Sequence, residues 1–194
     1  MNFEMNLCQL CKRKCSVGEK KACLSAPKLN LGSGLMLRKD FINFDFRELT
    51  FKDLRTDIIG DIKDLTKIFQ PKTFSTIFCA HVIEHFYLTD AIQVLKDCHI
   101  ILKSKGTLVI EAPDISSLIS RFNKGVTDID HLIVELYGED SFREKWGNEW
   151  MHRWGWTGKK LGSAMKKVGF KIQYMGRGHS HSHPDRDFKV IGIK

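Results

Sequence analysis

Four stretches decide the fold: Leu29-Asn30-Leu31-Gly32-Ser33-Gly34, Ile42-Asn43-Phe44-Asp45, Asp57-Ile58-Ile59-Gly60-Asp61-Ile62, and residues 74–85, FSTIFCAHVIEH. Each is a short apolar run closing on a small, charged or polar residue. Lys28–Leu31 reads as a strand that ends in the Gly32-Ser33-Gly34 turn. Residues 41–46 alternate Phe, Ile and Phe with more polar positions, the period of a second strand. Residues 57–59 form a third, followed by Gly60-Asp61 and a short turn or helix at 65–69. Residues 76–80 are a continuous, largely apolar run, as expected of a strand buried on both faces.

Outward from this block the period changes. Ala91, Ile92, Leu95, Cys98, His99 and Leu102 recur at three- and four-residue spacing, which predicts a helix over 89–102 laid on a sheet. Residues 103–106 close it, and 107–111 give a β-branched strand ending at Pro113. Helices are expected around 116–122 and 129–137. Another spans 157–168, with Thr157 as its cap, Leu161, Ala164, Met165 and Val168 as its stripe, and Gly169 as its stop. Two closing strands, 171–175 and 188–194, are separated by a Gly/His-rich connection and should pair antiparallel. Alternating strands and helices give an α/β fold, a doubly wound, mostly parallel sheet covered on both faces. One domain, 27–194, follows an N-terminal leader, 1–26, that carries no such pattern.

Composition narrows the class further. The 194 residues are 42% hydrophobic and 28% charged, the proportions of an ordinary globular protein. No apolar run is long enough for a membrane span. The N-terminus lacks the apolar region of a secretion signal, so the cytoplasm is the expected compartment. The net charge of +8 could attract nucleic acid or anionic headgroups, but no RNA-binding aromatic motif accompanies it, and a solvated Lys-rich surface explains it as well. Cys79 and Cys98 sit in apolar stretches and read as core residues. Cys8, Cys11, Cys15 and Cys23 cluster in the leader, where four thiolates could hold zinc or an iron–sulfur cluster, or remain free.

In an open α/β sheet, ligands bind at the carboxyl ends of the strands. Gly32 and Gly34 let the chain turn sharply and a ligand approach the backbone. Asp45, at the end of the second strand, can accept from two ribose hydroxyls. Asp61, at the end of the third, can accept from an adenine amine. Acids at two successive strand ends after a glycine turn form a joint signal that neither carries alone.

These segments resemble class I S-adenosylmethionine-dependent methyltransferases. Residues 29–34 are similar to the first motif of that superfamily, residues 42–45 to the "I-N-x-D" second strand of a short-connector branch, and residues 74–85 to a fourth strand ending in H-V-x-E-H. His152-Arg153-Trp154-Gly155-Trp156-Thr157 also resembles that branch. The resemblance covers 27–194 and implies a seven-stranded sheet with an antiparallel last strand. It also implies S-adenosylmethionine as donor, held by Asn30, Gly32, Ser33, Gly34, Asp45, Asp61, Ile62, Ala80 and His81, and in-line displacement of its methyl group. Two departures stand out: the connector after Gly34 is too short for a full first helix, and Ser75 occupies a position where the family commonly has Asp.

Acceptors that lose a proton need a base. His81, Asp114 and His152 are the candidates, while Glu84 and His85 also read as braces for the following helix. Trp146, Trp150, Trp154 and Trp156 read either as an acceptor wall or as core. His179, His181 and His183 alternate, so along an extended chain they would face one way as a metal site needs, but they read first as a solvated loop between the last two strands. The resemblance favours a small or carrier-linked acceptor such as a sugar, lipid or metabolite. RNA or protein methylation is the alternative enzyme, and a non-catalytic metal- and nucleic-acid-binding module the alternative from another class.

Overall fold

The computed structural model describes residues 27–179 and 185–194. The leader cysteines Cys8, Cys11, Cys15 and Cys23, with His181 and His183, lie outside the described residues. Seven strands form the main sheet: β1 (Lys28–Leu31), β2 (Ile42–Asp45), β5 (Ile58–Ile59), β6 (Phe74–Ala80), β7 (Leu102–Pro113), β8 (Lys171–Arg177) and β9 (Asp187–Ile193). Their order is β5-β2-β1-β6-β7-β9-β8. The central pairs are parallel, and β9 runs antiparallel between β7 and β8. The expected sheet, including its inverted last strand, is present.

Register brings the ligand edge together. Leu31 pairs with Phe44 on one side and Cys79 on the other, Phe44 pairs with Ile58, and Cys79 with Ile110. One residue further along each strand therefore aligns Gly32, Asp45, Ile59, Ala80 and Glu111 along a single edge. The crossover of β1 lies at this edge, which makes it the switch point where such sheets hold ligands.

The helices follow the apolar stripes. Helix α1 (Leu65–Ile68) packs beside α2 (Leu88–Ile101), whose buried residues Ala91, Val94, Leu95, Cys98 and Ile101 share one face. Helices α3 (Ile115–Asn123), α4 (Ile129–Tyr137) and α5 (Asp140–Trp146) follow β7. Helix α6 (Gly158–Val168) buries Leu161, Ala164 and Met165 and packs against α2. Thr157 accepts from the Lys160 amide at 3.2 Å, and Gly169, at φ +116°, ends the helix. Cys79 and Cys98 are buried free thiols, as their apolar neighbours suggest.

Three details differ from the sequence reading. A small hairpin, β3 (Thr50–Phe51) with β4 (Leu54–Arg55), stands between β2 and β5, where neither residue pair is long enough to show a period. Strand β7 begins at Leu102, five residues before the β-branched run, because Leu102 pairs with Phe74 across a bulge. Helix α5 adds a turn within 140–146 that its mixed charge pattern does not advertise. The short connector 35–41 forms no helix, as its length requires. Instead it lays Arg38 over Phe78, with the guanidinium 3.7 Å from the ring centroid, and packs Phe41 edge-on against the same ring. Phe78 faces away from Ile77 and Cys79, so this connector covers the other face of β6.

Candidate functional site

The glycine turn is built around two different needs. Gly32 lies at φ +63°, and a Cβ there would stand 2.4 Å from Val82 Cγ2. Gly34 is also left-handed, at φ +48°, but open space surrounds it. The first glycine is required by packing, whereas a side chain at the second would meet no neighbour within 4 Å.

Asp45 ties this turn to the next strand. It is 4% exposed, and its Oδ2 accepts from the Gly34 amide at 2.8 Å while Oδ1 accepts from the Arg47 amide at 3.3 Å. Burial raises its pKa against the lowering effect of these amides. Each carboxylate oxygen retains a second lone pair, so the group can also receive ribose hydroxyls. Asp61 is more open, with its side chain 53% exposed, and caps the turn Ile62–Asp64 by accepting from the Lys63 amide at 2.9 Å.

Asn30, Ser33, Ile62 and Ala80, also in the expected donor set, are buried. Asn30 is buried, and its amide donates to Met36 O and Asn43 Oδ1, both at 2.9 Å. Asn43 holds the connector through the Arg38 amide at 2.8 Å. Ile62 is in the core, and Ala80 is buried at the end of β6. Ser33 is buried, and its hydroxyl has no hydrogen-bond partner among the described residues.

His81 opens the second half of the site. Its backbone is left-handed at φ +53°, a conformation costing roughly 1–2 kcal/mol for most side chains. Both ring nitrogens meet carboxylates: Nδ1 is 3.4 Å from Glu84 Oε1, and Nε2 is 3.0 Å from Asp187 Oδ2. Burial would lower its pKa, but the two acids outweigh it and raise the group to about 9. Burial likewise opposes ionisation of Glu84 and Asp187, yet His81 holds both at about 2, with Arg186 contributing at Asp187. An imidazolium between two carboxylates is poorly suited to accept a proton near neutral pH.

The charge chain continues outward. Arg186 contacts Asp187 at 2.7 Å and donates to both oxygens of Glu135 at 2.9 and 3.0 Å. Glu135 is also 3.3 Å from His131. This alternation fastens α4 to the start of β9. Sequence reasoning missed Asp187, Arg186 and Glu135, since Asp187 lies in a polar connection and acquires meaning only by pairing with Pro113. Asp114 caps α3, accepting from the Ser116 amide at 2.9 Å. It also lines an open cleft of about 810 Å³, together with Ser117, Ser120, Lys159, Arg177 and Asp187.

The tryptophans divide. Trp156 is core, 1% exposed, and donates to Ile83 O at 3.3 Å. Trp146 and Trp150 stack loosely at 6.0 Å. Arg47, just beyond Asp45, lies 5.5 Å from the Trp146 ring and 4.0 Å from Glu149. This aromatic pair therefore stands beside the second strand's ligand end. His152 is held through Nδ1 to Glu135 O at 3.0 Å, and His179 gives its amide to Glu111 Oε2 at 3.0 Å.

A seven-stranded sheet with this strand order, a glycine turn and acids at two strand ends defines a Rossmann-like methyltransferase fold. Residues 25–110 match the family model described as a methyltransferase domain. Among solved structures, the chain is similar to an S-adenosylmethionine-dependent methyltransferase from Archaeoglobus fulgidus, with TM-score 0.61 and 16% identity over 90% of this chain and 89% of that one. A second such enzyme, from Methanosarcina mazei, has TM-score 0.61 and 13% identity over 87% and 92%. The 1,6-didemethyltoxoflavin-N1-methyltransferase of Burkholderia thailandensis, with bound 1,6-didemethyltoxoflavin and S-adenosylhomocysteine, has TM-score 0.55 and 12% identity over 92% and 78%. Comparison with curated protein sequences gives no match. The fold is that of the class I S-adenosylmethionine-dependent methyltransferases, and the family match covers the part of it from residue 25 to 110. No helix among the described residues is long and apolar enough to cross a membrane.

Proposed function

We propose that this chain methylates a small or carrier-linked acceptor, a sugar, lipid or metabolite, that enters through the cleft beside Asp114. The observation that carries the reading is the shared edge of Gly34, Asp45 and His81 at the switch point, with the cleft opening next to it at Asp187. The donor fits the residues present. Open space beside Gly34 admits its backbone-facing part, Asp45 has lone pairs for a diol, and Asp61 presents an exposed carboxylate to an amine.

When bound, S-adenosylmethionine supplies an activated methyl group on a sulfonium. The chain's task is then mainly positioning. Gly32, Ser33 and Gly34 set the turn, Asp45 fixes it to β2, and Trp146 and Trp150 screen the second strand's end from water. His81, pinned by Glu84 and Asp187, orients the strand-end backbone. Asp114, which lines the cleft with Asp185 and Asp187, takes the acceptor's proton where one is lost. His152 holds the segment that closes the site.

An unbiased screen tests this reading: full-length protein, methyl-labelled S-adenosylmethionine, and fractionated glycans, lipids, metabolites, RNA and protein. Label is expected in a small or carrier-linked fraction and not when Gly34→Val replaces the wild type. Label confined to RNA or protein, or to no fraction, overturns the acceptor class.

A further inference from the structure

Beside His81 lies a group of side chains that touch neither the donor nor the acceptor in that reading. Glu84 and His85 occupy the turn Ile83–His85 after β6, and His152 approaches from the segment beyond α5. Backbone hydrogen bonds bring that segment in: the Arg153 and Trp154 amides both donate to Glu84 O, at 2.8 and 3.1 Å. One ligand atom from each of Glu84, His85 and His152 lies within 4.8 Å of the other two. The two imidazoles meet edge to face, with centroids 5.0 Å apart.

The ring nitrogens are already sorted. His85 Nδ1 faces Met151 O at 3.2 Å, and His152 Nδ1 faces Glu135 O at 3.0 Å. A carbonyl oxygen only accepts, so each Nδ1 carries the hydrogen and each Nε2 presents its lone pair. Metal-binding histidines are oriented in this way by partners behind the ring. Glu84 completes the set: it is 3% exposed, and neither carboxylate oxygen has a hydrogen-bond partner among the described residues. Its 3.4 Å contact with His81 is an ion pair rather than a well-formed hydrogen bond. A buried carboxylate so sparsely bonded costs several kcal/mol unless further positive charge compensates it.

We propose that Glu84, His85 and His152 bind a divalent first-row transition ion that clamps the His152 segment to the end of β6. Two imidazole nitrogens and one carboxylate oxygen suit zinc, cobalt, nickel or ferrous iron, and are a poor set for magnesium or calcium, which favour oxygen donors. Three protein ligands leave a coordination position open. Ligand bonds of about 2.1 Å place tetrahedral ligand atoms about 3.4 Å apart, so from separations within 4.8 Å the side chains draw in by no more than about 1.4 Å on binding. None of these three ligands is one of the leader cysteines.

The test uses full-length protein stripped by chelator, in wild-type form and with Cys8, Cys11, Cys15 and Cys23 all changed to Ser. Each is titrated with Co²⁺ and, separately, Zn²⁺. The four-serine protein is expected to bind one equivalent of Co²⁺ with weak visible bands and no thiolate charge-transfer band. Its melting temperature should rise with Zn²⁺. His85→Ala and His152→Ala should each weaken Co²⁺ binding at least a hundredfold. Should His85→Ala fail to fold, the part-exposed His152→Gln decides, read by the same titration. Absence of Co²⁺ binding by the four-serine protein, or binding unchanged by His152→Ala or His152→Gln, overturns the site.

Discussion

Replacing Gly32 by Ala tests how the turn at the ligand edge is held. The substitution carries two separable costs. Its φ of +63° is left-handed, which costs an L-residue about 1–2 kcal/mol. The new methyl would also stand 2.4 Å from Val82 Cγ2 and 3.0 Å from Cγ1, well inside ordinary carbon contact, and overpacking of this kind costs about 1–3 kcal/mol. The sum, about 2–5 kcal/mol, is a large share of typical domain stability. For a chain of this size it corresponds to a melting-temperature drop of roughly 4–20 °C. Val82→Ala removes the two Cγ atoms but not the backbone cost, so a double-mutant cycle separates the terms. Urea denaturation of wild type, both single variants and the double variant should give a favourable coupling of about 1–3 kcal/mol. Additivity to within about 0.5 kcal/mol would refute the packing argument, and an unperturbed Gly32→Ala protein would refute both parts.

Other consequences follow from the same geometry. Asp187 has its folded pKa held near 2, below the ordinary 3.8, by His81 and Arg186 against burial. Its contribution is therefore complete above about pH 4 and lost as pH falls toward 2. Wild type should exceed Asp187→Asn by about 2 kcal/mol at pH 6, with the gap narrowing near pH 2 in thermal melts; parallel curves would contradict this. Trp156→Ala should lower stability by about 3–5 kcal/mol in urea titrations, because the ring is fully buried and its indole nitrogen is bonded; a loss under 1 kcal/mol would place that ring outside the core. Asp61→Asn keeps a side-chain oxygen to cap the turn, so stability should change by no more than about 0.5 kcal/mol while affinity for S-adenosylmethionine drops about tenfold. Unchanged affinity there would remove Asp61 from the donor site.

Much of this fold is visible in the chain because its elements carry their own periods. After Thr76 the run to Ala80 has no polar position, and a strand with neighbours on both sides needs none. The stripe Ala91, Leu95, Cys98 marks α2, and Thr157 with Gly169 marks both ends of α6. The turn at Gly32 and Gly34 and the acids at Asp45 and Asp61 are local features, readable because each strand ends where its apolar run stops. What escaped was non-local. Asp187 sits in a polar stretch with no period, and its partnership with His81 arises only when β9 inserts beside β7. The Arg186–Glu135 pair joins residues 51 apart, and nothing along the chain marks them for each other. Trp156 and Trp146 look alike in sequence, yet one fills the core and the other lies beside Arg47. Which aromatic faces inward is set by the path of the segment after α5, not by composition. The hairpin β3–β4 is too short to have a pattern.

Whether Gly34 and Asp45 form the donor-binding edge of this sheet is decided by titration calorimetry. Wild-type full-length protein titrated with S-adenosylmethionine and with S-adenosylhomocysteine should bind one equivalent of each. Gly34→Val should abolish the heat, since open space at that glycine is what admits a ligand, and Asp45→Asn should weaken binding about tenfold or more. No heat from either ligand with folded wild-type protein, or wild-type affinity in Gly34→Val, would contradict it.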